Sequence, residues 1–403
     1  MISKHILVPT VLILFISGLP AQQVARDYEP SHLDPVTGAM GRSQVIGDAG
    51  PLSLFSNPAQ LIQHQNFQVR FSAAVGLPSL TNGHLDQFSE PGTDAAMHTS
   101  LLNLAAIYPS PDSDFSDQEM VFALGWARLN DWLGDYSWSY SDGEGSHRRE
   151  YTSSNGINGL ALGFAMRYFQ RYSFGAGVQW VPEADFYTQD ILYLNDALVT
   201  GTSTRYTSKM AFRFILGAHA ALGERFSVAL SFQPGFDWIA GAYWDEGIQH
   251  DGELILYHAP MKIGFGSAWH ITPSVLLQYE TQFYAYQDMM IMETETDLEN
   301  GLAHRLGLEV GSKTRFRGGF ALEPLPIHDV GAATPASQLS ITYGAGMPVG
   351  PATIDLGMEH YSWSHTTNRL PFVEGSVTPY EMTYKGTRLA LSVDLPLDSF
   401  LQR

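Results

Sequence analysis

Charged side chains recur inside segments that otherwise alternate between apolar and polar residues, and they are the first candidates for chemistry. A guanidinium binds a carboxylate through two parallel hydrogen bonds. Arginines at such positions can therefore pair with acids of the same protein or hold an acidic ligand, and the sequence leaves both roles open. All of these charges fall on the polar side of their segments; they are Arg70, Arg167, Arg213, Arg305, Arg317, Arg388, Glu280, Glu309, Asp355 and Glu359.

The sequence patterns that would indicate a catalytic site or a metal site are weaker than the pattern of charged residues. The 14 histidines include no H-x-x-x-H or other close metal-ligand pair on one strand face, and no Gly-x-Ser-x-Gly nucleophile motif occurs. His360 and Ser362 share one strand parity, but a pair two residues apart arises easily by chance. Asp112, Asp114 and Asp117 could bind a hard divalent cation, yet they are more typical of a solvated loop. Because the chain also has no cysteine, we expect no enzyme activity, no cofactor and no metal site.

The alternation has the period of β-strands whose two faces meet different surroundings. Between residues 172 and 180, for example, Phe174 and Val178 alternate with Gly177 and Gln179. Most such segments have roughly the ten residues that a tilted membrane-spanning strand needs. We count about fourteen of them: 67–76, 100–108, 120–128, 157–168, 172–180, 205–220, 226–233, 261–270, 274–285, 302–310, 315–322, 338–346, 352–363 and 386–395.

The connections between these segments alternate in length. Short ones at 169–171, 222–225, 271–273, 311–314 and 347–350 take turns with long ones at 181–204, 234–258, 286–301, 323–336 and 364–384. Short turns on one side and long loops on the other are typical of bacterial outer-membrane barrels. A charge facing lipid at mid-depth costs about 2–4 kcal/mol, so the charged positions belong in the lumen. The sequence therefore predicts an all-β, antiparallel transmembrane barrel of about 14 strands over residues 65–403, embedded in outer-membrane lipid of a Gram-negative cell.

The first 64 residues do not continue this pattern. Residues 1–21 combine Lys4 with an apolar run that ends at Pro20 and Ala21, which is typical of a cleaved secretory signal peptide. Residues 22–64 are too polar and too often interrupted by glycine and proline for a helix or a central strand. We expect this second segment to form a compact plug, or hatch, in the barrel lumen. Its turn signal is Asn57-Pro58-Ala59.

Charge and aromatic content restrict the partners. The formal net charge of -19 argues against nucleic acid, which requires a basic surface. Two of the long connections are rich in aromatic residues, and clusters of this kind on an outer surface indicate a binding site or a lid. They predict contacts with a hydrophobic small-molecule substrate, whereas an acidic head group would require Arg213, Arg305 or Arg317. The aromatic candidates are Phe186 and Tyr187 in the first connection and Phe236, Trp238, Tyr243 and Trp244 in the second.

The order of these features resembles the long-chain fatty-acid transporter (FadL/TodX) family. Ser56-Asn57-Pro58-Ala59 is similar to the hatch motif of that family. Ala259–His270 followed by Val275–Glu280 resembles its eighth and ninth strands. Leu306–Glu309, then Phe316–Phe320 and Pro324-Leu325-Pro326, resembles the next two. The similarity extends over nearly all of the chain that follows the predicted signal peptide.

The resemblance implies a plugged barrel through which hydrophobic molecules such as long-chain fatty acids diffuse. It also implies a lateral exit into the bilayer at a kink in the third strand, where Gly125 is the residue that tolerates such a break. A PorV-like branch shares the same hatch and barrel and acts in protein secretion or surface anchoring. That alternative predicts protein partners and no transport.

Overall fold

The structure is a computed structural model of the 403-residue chain. It describes residues 34–47, 49–64, 66–82, 92–95, 98–109, 118–131, 134–141, 145–154, 156–245, 248–291, 294–295, 298–328, 332–367 and 380–397. The predicted signal peptide and the acidic residues Asp112, Asp114 and Asp117 lie outside these ranges.

Fourteen antiparallel strands close into one barrel, as the sequence predicted. The first strand, β1 (Gln68–Asn82), pairs with β3 (His98–Pro109) on one side and with the final strand, β23 (Tyr380–Pro396), on the other, so the sheet has no free edge. Closure satisfies every strand edge without water, which a membrane-spanning sheet requires. The barrel strands are β1 (Gln68–Asn82), β3 (His98–Pro109), β4 (Gln118–Asp131), β7 (Gly156–Tyr168), β8 (Tyr172–Val181), β11 (Ala211–Ala221), β12 (Phe226–Gln233), β15 (Lys262–Thr272), β16 (Val275–Tyr284), β19 (Gly301–Gly311), β20 (Arg315–His328), β21 (Pro335–Val349), β22 (Ala352–Thr367) and β23 (Tyr380–Pro396).

The remaining strands form a second, nine-stranded sheet that extends the hairpins at the long-connection end of the barrel. We call this the outer end, and the opposite one the short-turn end. The prediction that residues 181–204 and 234–258 are loops is wrong, because both are hairpins of this sheet. The strands are β2 (Gly92–Ala95), β5 (Gly134–Ser141), β6 (Ser146–Ser154), β9 (Asp185–Leu194), β10 (Ala197–Ser208), β13 (Phe236–Asp245), β14 (Ile248–Ala259), β17 (Met290–Ile291) and β18 (Thr294–Glu295).

The predicted strand 205–220 is corrected in the same way. Its first four residues end β10 of the second sheet, and the barrel strand β11 starts only at Ala211. Lys209 and Met210 separate the two strands. Threonine and serine on both faces of β10 concealed the strand period, since neither face of such a strand is marked by apolar residues.

Side-chain parity confirms the predicted faces of the barrel wall. Phe174, Leu230 and Phe265 are 54%, 52% and 42% exposed and point outward. Gln179 and Ser231, on the alternate positions, are buried inside. An apolar outer surface over a polar lumen is the arrangement that a lipid bilayer requires of a barrel.

The N-terminal segment, residues 34–64, is irregular and almost wholly buried. It contains one short helix, α1 (Pro35–Ala39), and two turns of 3-10 helix at Gly50–Phe55 and Pro58–Gln63. A further 3-10 turn, Tyr286–Asp288, follows strand β16 at the outer end. Within the described ranges, no helix has the length and apolar character needed to cross a membrane.

Candidate functional site

Glycines on the inner wall allow the N-terminal segment to approach the strands closely. A Cβ at Gly125 would lie 2.9 Å from the Phe55 ring, and one at Gly357 would lie 2.7 Å from the Pro35 carbonyl oxygen. Other glycines around the inner circumference of the barrel lie equally close to the N-terminal segment. A side chain larger than that of glycine would not fit at these distances. The N-terminal segment therefore lies inside the barrel. Further inner-wall glycines in contact with it are Gly163, Gly175, Gly217, Gly264, Gly266, Gly307, Gly319 and Gly344.

Asn57 joins two parts of the N-terminal segment. Its Nδ2 donates to the Val45 carbonyl at 2.7 Å, and its Oδ1 accepts from the Ala59 amide at 3.2 Å. The second bond caps the 3-10 turn that begins at Pro58. Pro58 is the first residue of this turn, where a backbone N–H would have no partner within the turn. Asparagine as the cap and proline as the first residue therefore suit the start of the turn together.

Glu280 on β16 anchors the N-terminal segment to the wall. Its Oε2 accepts from the Ser43 hydroxyl at 3.0 Å and from the backbone amides of Gln44 and Val45 at 2.8 and 2.6 Å. Its Oε1 pairs with the buried guanidinium of Arg305. A carboxylate with this many donors is fully satisfied, so the charge can stay buried.

Arg305 and Arg317 are both occupied by carboxylates of the wall. Arg305 Nη2 lies 2.6 Å from Glu323, in addition to its pairing with Glu280. Arg317 contacts Glu309 and Asp355, each at 2.7 Å. Of the two roles that the sequence left open, ion pairing within the protein is the one observed for these two arginines.

The N-terminal segment adds one acid and one arginine to these ion pairs. Asp34 lies 2.8 Å from Arg70, which also contacts Asp394 at 3.0 Å. Burial raises the pKa of Asp34 above its ordinary value, against the opposing effect of the Arg70 guanidinium. Arg42 contacts Glu323 at 2.6 Å and Glu359 at 3.3 Å. Charges in the N-terminal segment are thus neutralised by wall residues far away in sequence.

Arg213 has a different environment, closer to the outer end. Its Nη2 donates to Gln233 at 3.4 Å, and its guanidinium lies 5.2 Å above the ring of Phe236. Lys262, opposite Gln233 in the register, places its ammonium 5.3 Å from the ring centre of Tyr284. Lys262 forms no ion pair with any described residue. Two cations over aromatic rings therefore face the lumen at this level.

The aromatic rings beneath these cations belong to a buried group that we call the outer cluster. Trp238 and Met289 are fully buried, and the Tyr284 and Tyr286 rings stack at 5.4 Å. This group is continuous with Leu54, Phe55 and Leu61 of the N-terminal segment, so one buried apolar cluster extends from the segment to the outer end. The members of the outer cluster are Phe236, Trp238, Tyr284, Tyr286, Met289 and Leu298.

The remaining predicted aromatic residues lie in adjacent strands of the second sheet. Phe186 on β9 and Tyr243 on β13 are both opposite Tyr206 of β10, which places the two predicted connections side by side. Tyr187 and Trp244 are both opposite Arg205. The side chains of Phe186, Tyr243 and Trp244 fall outside the described part of the chain.

Sequence analysis missed three polar members of this site. Lys262, Gln179 and Gln233 face the lumen, near or opposite Arg213, and only Arg213 was singled out. Their strand parity was visible in the sequence. What the sequence did not show is that the Tyr284 ring lies beside Lys262, since this depends on strand register.

Gly125 pairs without interruption with Ala105 on β3 and Ala161 on β7. The irregularity in this third barrel strand lies nearer the outer end, between Arg128 and Asn130. Gly125 is buried and faces Phe55 of the N-terminal segment. A lateral exit at this position remains a prediction.

His360 is held by hydroxyl groups on the outer surface of the barrel. Its Nε2 lies 2.8 Å from the Tyr343 hydroxyl and its Nδ1 lies 2.8 Å from Thr387 Oγ1. Both ring nitrogens are thus engaged by residues other than Ser362. In the described ranges, no group of three or more His, Asp or Glu side chains is arranged to hold a metal ion.

Solved structures share this architecture. A FadL homologue of Pseudomonas aeruginosa matches with a TM-score of 0.61 and 12% identity, covering 92% of this chain and 99% of that chain. The chain has the fold of the FadL/TodX transporters. The CymD monoaromatic hydrocarbon channel matches with a TM-score of 0.57 and 11% identity, covering 90% and 97%. The toluene transporter TodX of Pseudomonas putida matches with a TM-score of 0.56 and 12% identity, covering 92% and 99%.

Comparison by sequence alone gives no match of this kind. No protein-family model matches the chain, and no curated protein matches it. At 11–12% identity the three structures establish a common fold, as the predicted resemblance implied. Each of them is described as a transporter, a channel or a homologue of one, and none as an enzyme.

Proposed function

We propose that the protein transports hydrophobic small molecules across the outer membrane. One observation carries this proposal: the continuous cluster of buried apolar side chains that runs from the outer cluster to the N-terminal segment, with two cations at its edge. An apolar molecule that passes between such side chains stays out of water throughout its passage. The fold shared with hydrocarbon transporters supports the same conclusion.

The substrate class that fits best is an amphiphile with an acidic head, such as a long-chain fatty acid. The tail would bury against Phe236 and Trp238 at about 25 cal/mol per Å² of apolar area. The head would pair with Lys262 and Arg213, which lie over aromatic rings. Arg305 and Arg317, also predicted as head-group ligands, would instead keep their carboxylate partners. Phe186, Tyr187, Tyr243 and Trp244 would gather the substrate at the outer surface.

The N-terminal segment would act as the hatch that prevents free passage of water-soluble molecules. We assign the hatch to residues 22–64, after a cleaved signal peptide of residues 1–21 and before the barrel of residues 65–403. The support is the dense contact between residues 34–64 and the inner wall. The substrate would leave sideways into the bilayer near Gly125, which avoids a passage through the hatch.

Binding to the purified barrel in lipid nanodiscs tests this proposal. Labelled palmitate should bind more tightly than the corresponding fatty alcohol, and Lys262→Met should reduce the preference for the acid, with Arg213 as the remaining cation. Lys313→Met, at an exposed lysine of a short turn, is the matched control and should change nothing. Equal binding of acid and alcohol to the wild type would refute the acidic-head assignment. Absence of binding by any apolar ligand would favour the PorV-like alternative.

A further inference from the structure

The N-terminal segment consists of two halves that contact the wall in different ways. The first, residues 34–46, which we call the anchored half, forms buried ion pairs and charged hydrogen bonds. Glu280 accepts three hydrogen bonds from it. Arg42 of this half lies 2.6 Å from Glu323, and Asp34 lies 2.8 Å from Arg70. Because breaking such a pair would leave a buried charge without a partner, the anchored half is fixed to the wall.

The second half, residues 50–62, which we call the apolar half, packs on the wall through apolar side chains. Leu54, Phe55 and Leu61 are at most 4% exposed and lie in one cluster with apolar residues of strands β3, β4 and β7. The Ser53 hydroxyl is buried and forms no hydrogen bond with any described residue. An apolar ligand can replace apolar contacts at little cost, whereas it cannot replace the partner of a buried charge. The apolar half is therefore the part of the segment that such a ligand can displace.

The two ends of the apolar half can serve as pivots. At its start, Gly50 has a backbone φ of +57°, a conformation that glycine enters and leaves without steric cost. At its end, the Ile62 carbonyl accepts a hydrogen bond from Arg167 Nη2 at 2.8 Å. A bond from a charged donor is stronger than a neutral one, so this end stays at the wall while the residues between the pivots move.

A latch joins the apolar half to the anchored half. The Val45 carbonyl accepts hydrogen bonds from Asn57 Nδ2 at 2.7 Å and from Gln60 Nε2 at 3.1 Å. Both are neutral hydrogen bonds, which contribute less to stability than the charged bonds of the anchored half. Opening between the two halves therefore breaks weaker polar contacts than release of the anchored half from the wall.

We propose that the apolar half is a gate that swings away from strands β3, β4 and β7 while the anchored half stays in place. In the closed state Phe55 covers Gly125, where a Cβ would lie 2.9 Å from its ring. An apolar molecule favours the open state because it binds the apolar side chains that opening exposes. A water-soluble molecule has no such preference, so the gate stays closed to it. This inference describes how the proposed transport is regulated and rests on that transport.

Thiol labelling of the full-length barrel in lipid nanodiscs tests the gate without any transport. The chain has no cysteine, so a single introduced cysteine reports on one position. Leu54→Cys lies in the apolar half and Ile46→Cys in the anchored half, and both native side chains are buried. A water-soluble maleimide should label Leu54→Cys at least about tenfold faster, because the apolar half opens more often. Equal rates, or faster labelling of Ile46→Cys, would overturn the proposal.

Reversible cross-links test whether the gate must open for transport. Leu54→Cys with Gly163→Cys joins the apolar half to β7, because the Leu54 side chain lies against Gly163. The matched control, Val45→Cys with Gly264→Cys, joins the anchored half to β15, where the two Cβ positions are 3.6 Å apart and suit a disulfide. Uptake of labelled palmitate by cells should fall at least about tenfold when the first pair is oxidised and recover on reduction. Oxidation of the control pair should leave uptake unchanged.

The outcomes separate the gate from the transport itself. Unchanged uptake with the first pair fully oxidised would overturn the gate. An equal loss with the control pair would overturn it as well, since the whole segment would then have to move. If the wild type gives no uptake, the proposed transport fails, and the two rates of thiol labelling still decide whether the gate exists.

Discussion

Replacing Glu280 with glutamine should release the N-terminal segment from the wall. In the wild type, Glu280 accepts three hydrogen bonds from Ser43, Gln44 and Val45. Hydrogen bonds to a charged group contribute about 1.5–3 kcal/mol each, roughly twice the value of neutral ones. Glutamine is uncharged, so each of these three hydrogen bonds should keep only about half of its free-energy contribution. The total loss weakens the contact between the N-terminal segment and the wall by about 2–4 kcal/mol. Arg305 keeps Glu323 as a partner at 2.6 Å, so the wall itself should stay intact.

Hydrogen exchange measures this release directly. Because about 1.4 kcal/mol corresponds to a tenfold change in an equilibrium, the amides of Gln44 and Val45 should exchange about 30-fold to 700-fold faster in Glu280→Gln. Conductance of the variant in planar bilayers should rise as well. The matched control is Glu309→Gln, since Glu309 pairs with Arg317 and Arg315 of the wall. If the two variants exchange alike at residues 43–45, Glu280 is not the anchor and the reasoning fails.

Three further variants test other contacts. Asn57→Ala removes the cap of the 3-10 turn and the hydrogen bond to Val45, so thermal unfolding should show a loss of about 1–2 kcal/mol in the free energy of unfolding. Gln63→Ala, at the end of the same turn, is the control, and an equal loss in that variant would argue against a special role for Asn57. Trp238→Phe should weaken palmitate binding without unfolding the barrel, measured by titration beside far-ultraviolet circular dichroism; unchanged affinity would remove Trp238 from the binding surface. Gly125→Val should displace the Phe55 ring and reduce fatty-acid uptake; recovery in the double variant with Phe55→Ala would assign the effect to packing of the N-terminal segment, and no recovery would favour a lateral exit.

The barrel was predictable because its strands have contrasting faces. Phe174, Leu230 and Phe265 alternate with small and polar residues, and a one-residue shift of register would turn every side chain to the wrong face. The second sheet was missed for the opposite reason, since strands such as β10 carry threonine and serine on both faces. Such strands belong to the second sheet and not to the barrel wall, and their two faces lack the contrast between apolar and polar residues that reveals a strand period.

The functional site could be predicted only in part. Arg305 and Arg317 were visible as inward-facing charges, but their partners lie up to 38 residues away in sequence, and strand register decides which acids meet them. Asn57 was identified from its local turn signal. Gly217, which makes room for Asn57, carries no such signal, because the reason for a glycine there lies in a distant part of the chain.

Uptake by living cells tests the central claim most directly. The protein is expressed in Gram-negative cells that lack their own long-chain fatty-acid transporter, and its folded presence in the outer membrane is verified. Transport of hydrophobic molecules predicts that labelled palmitate enters these cells faster than it enters cells with an empty vector. Palmitate should also enter cells that express Lys262→Met more slowly than cells that express Lys313→Met. If the folded wild-type barrel gives no uptake of palmitate or of any other apolar molecule, the protein is not a transporter of this class.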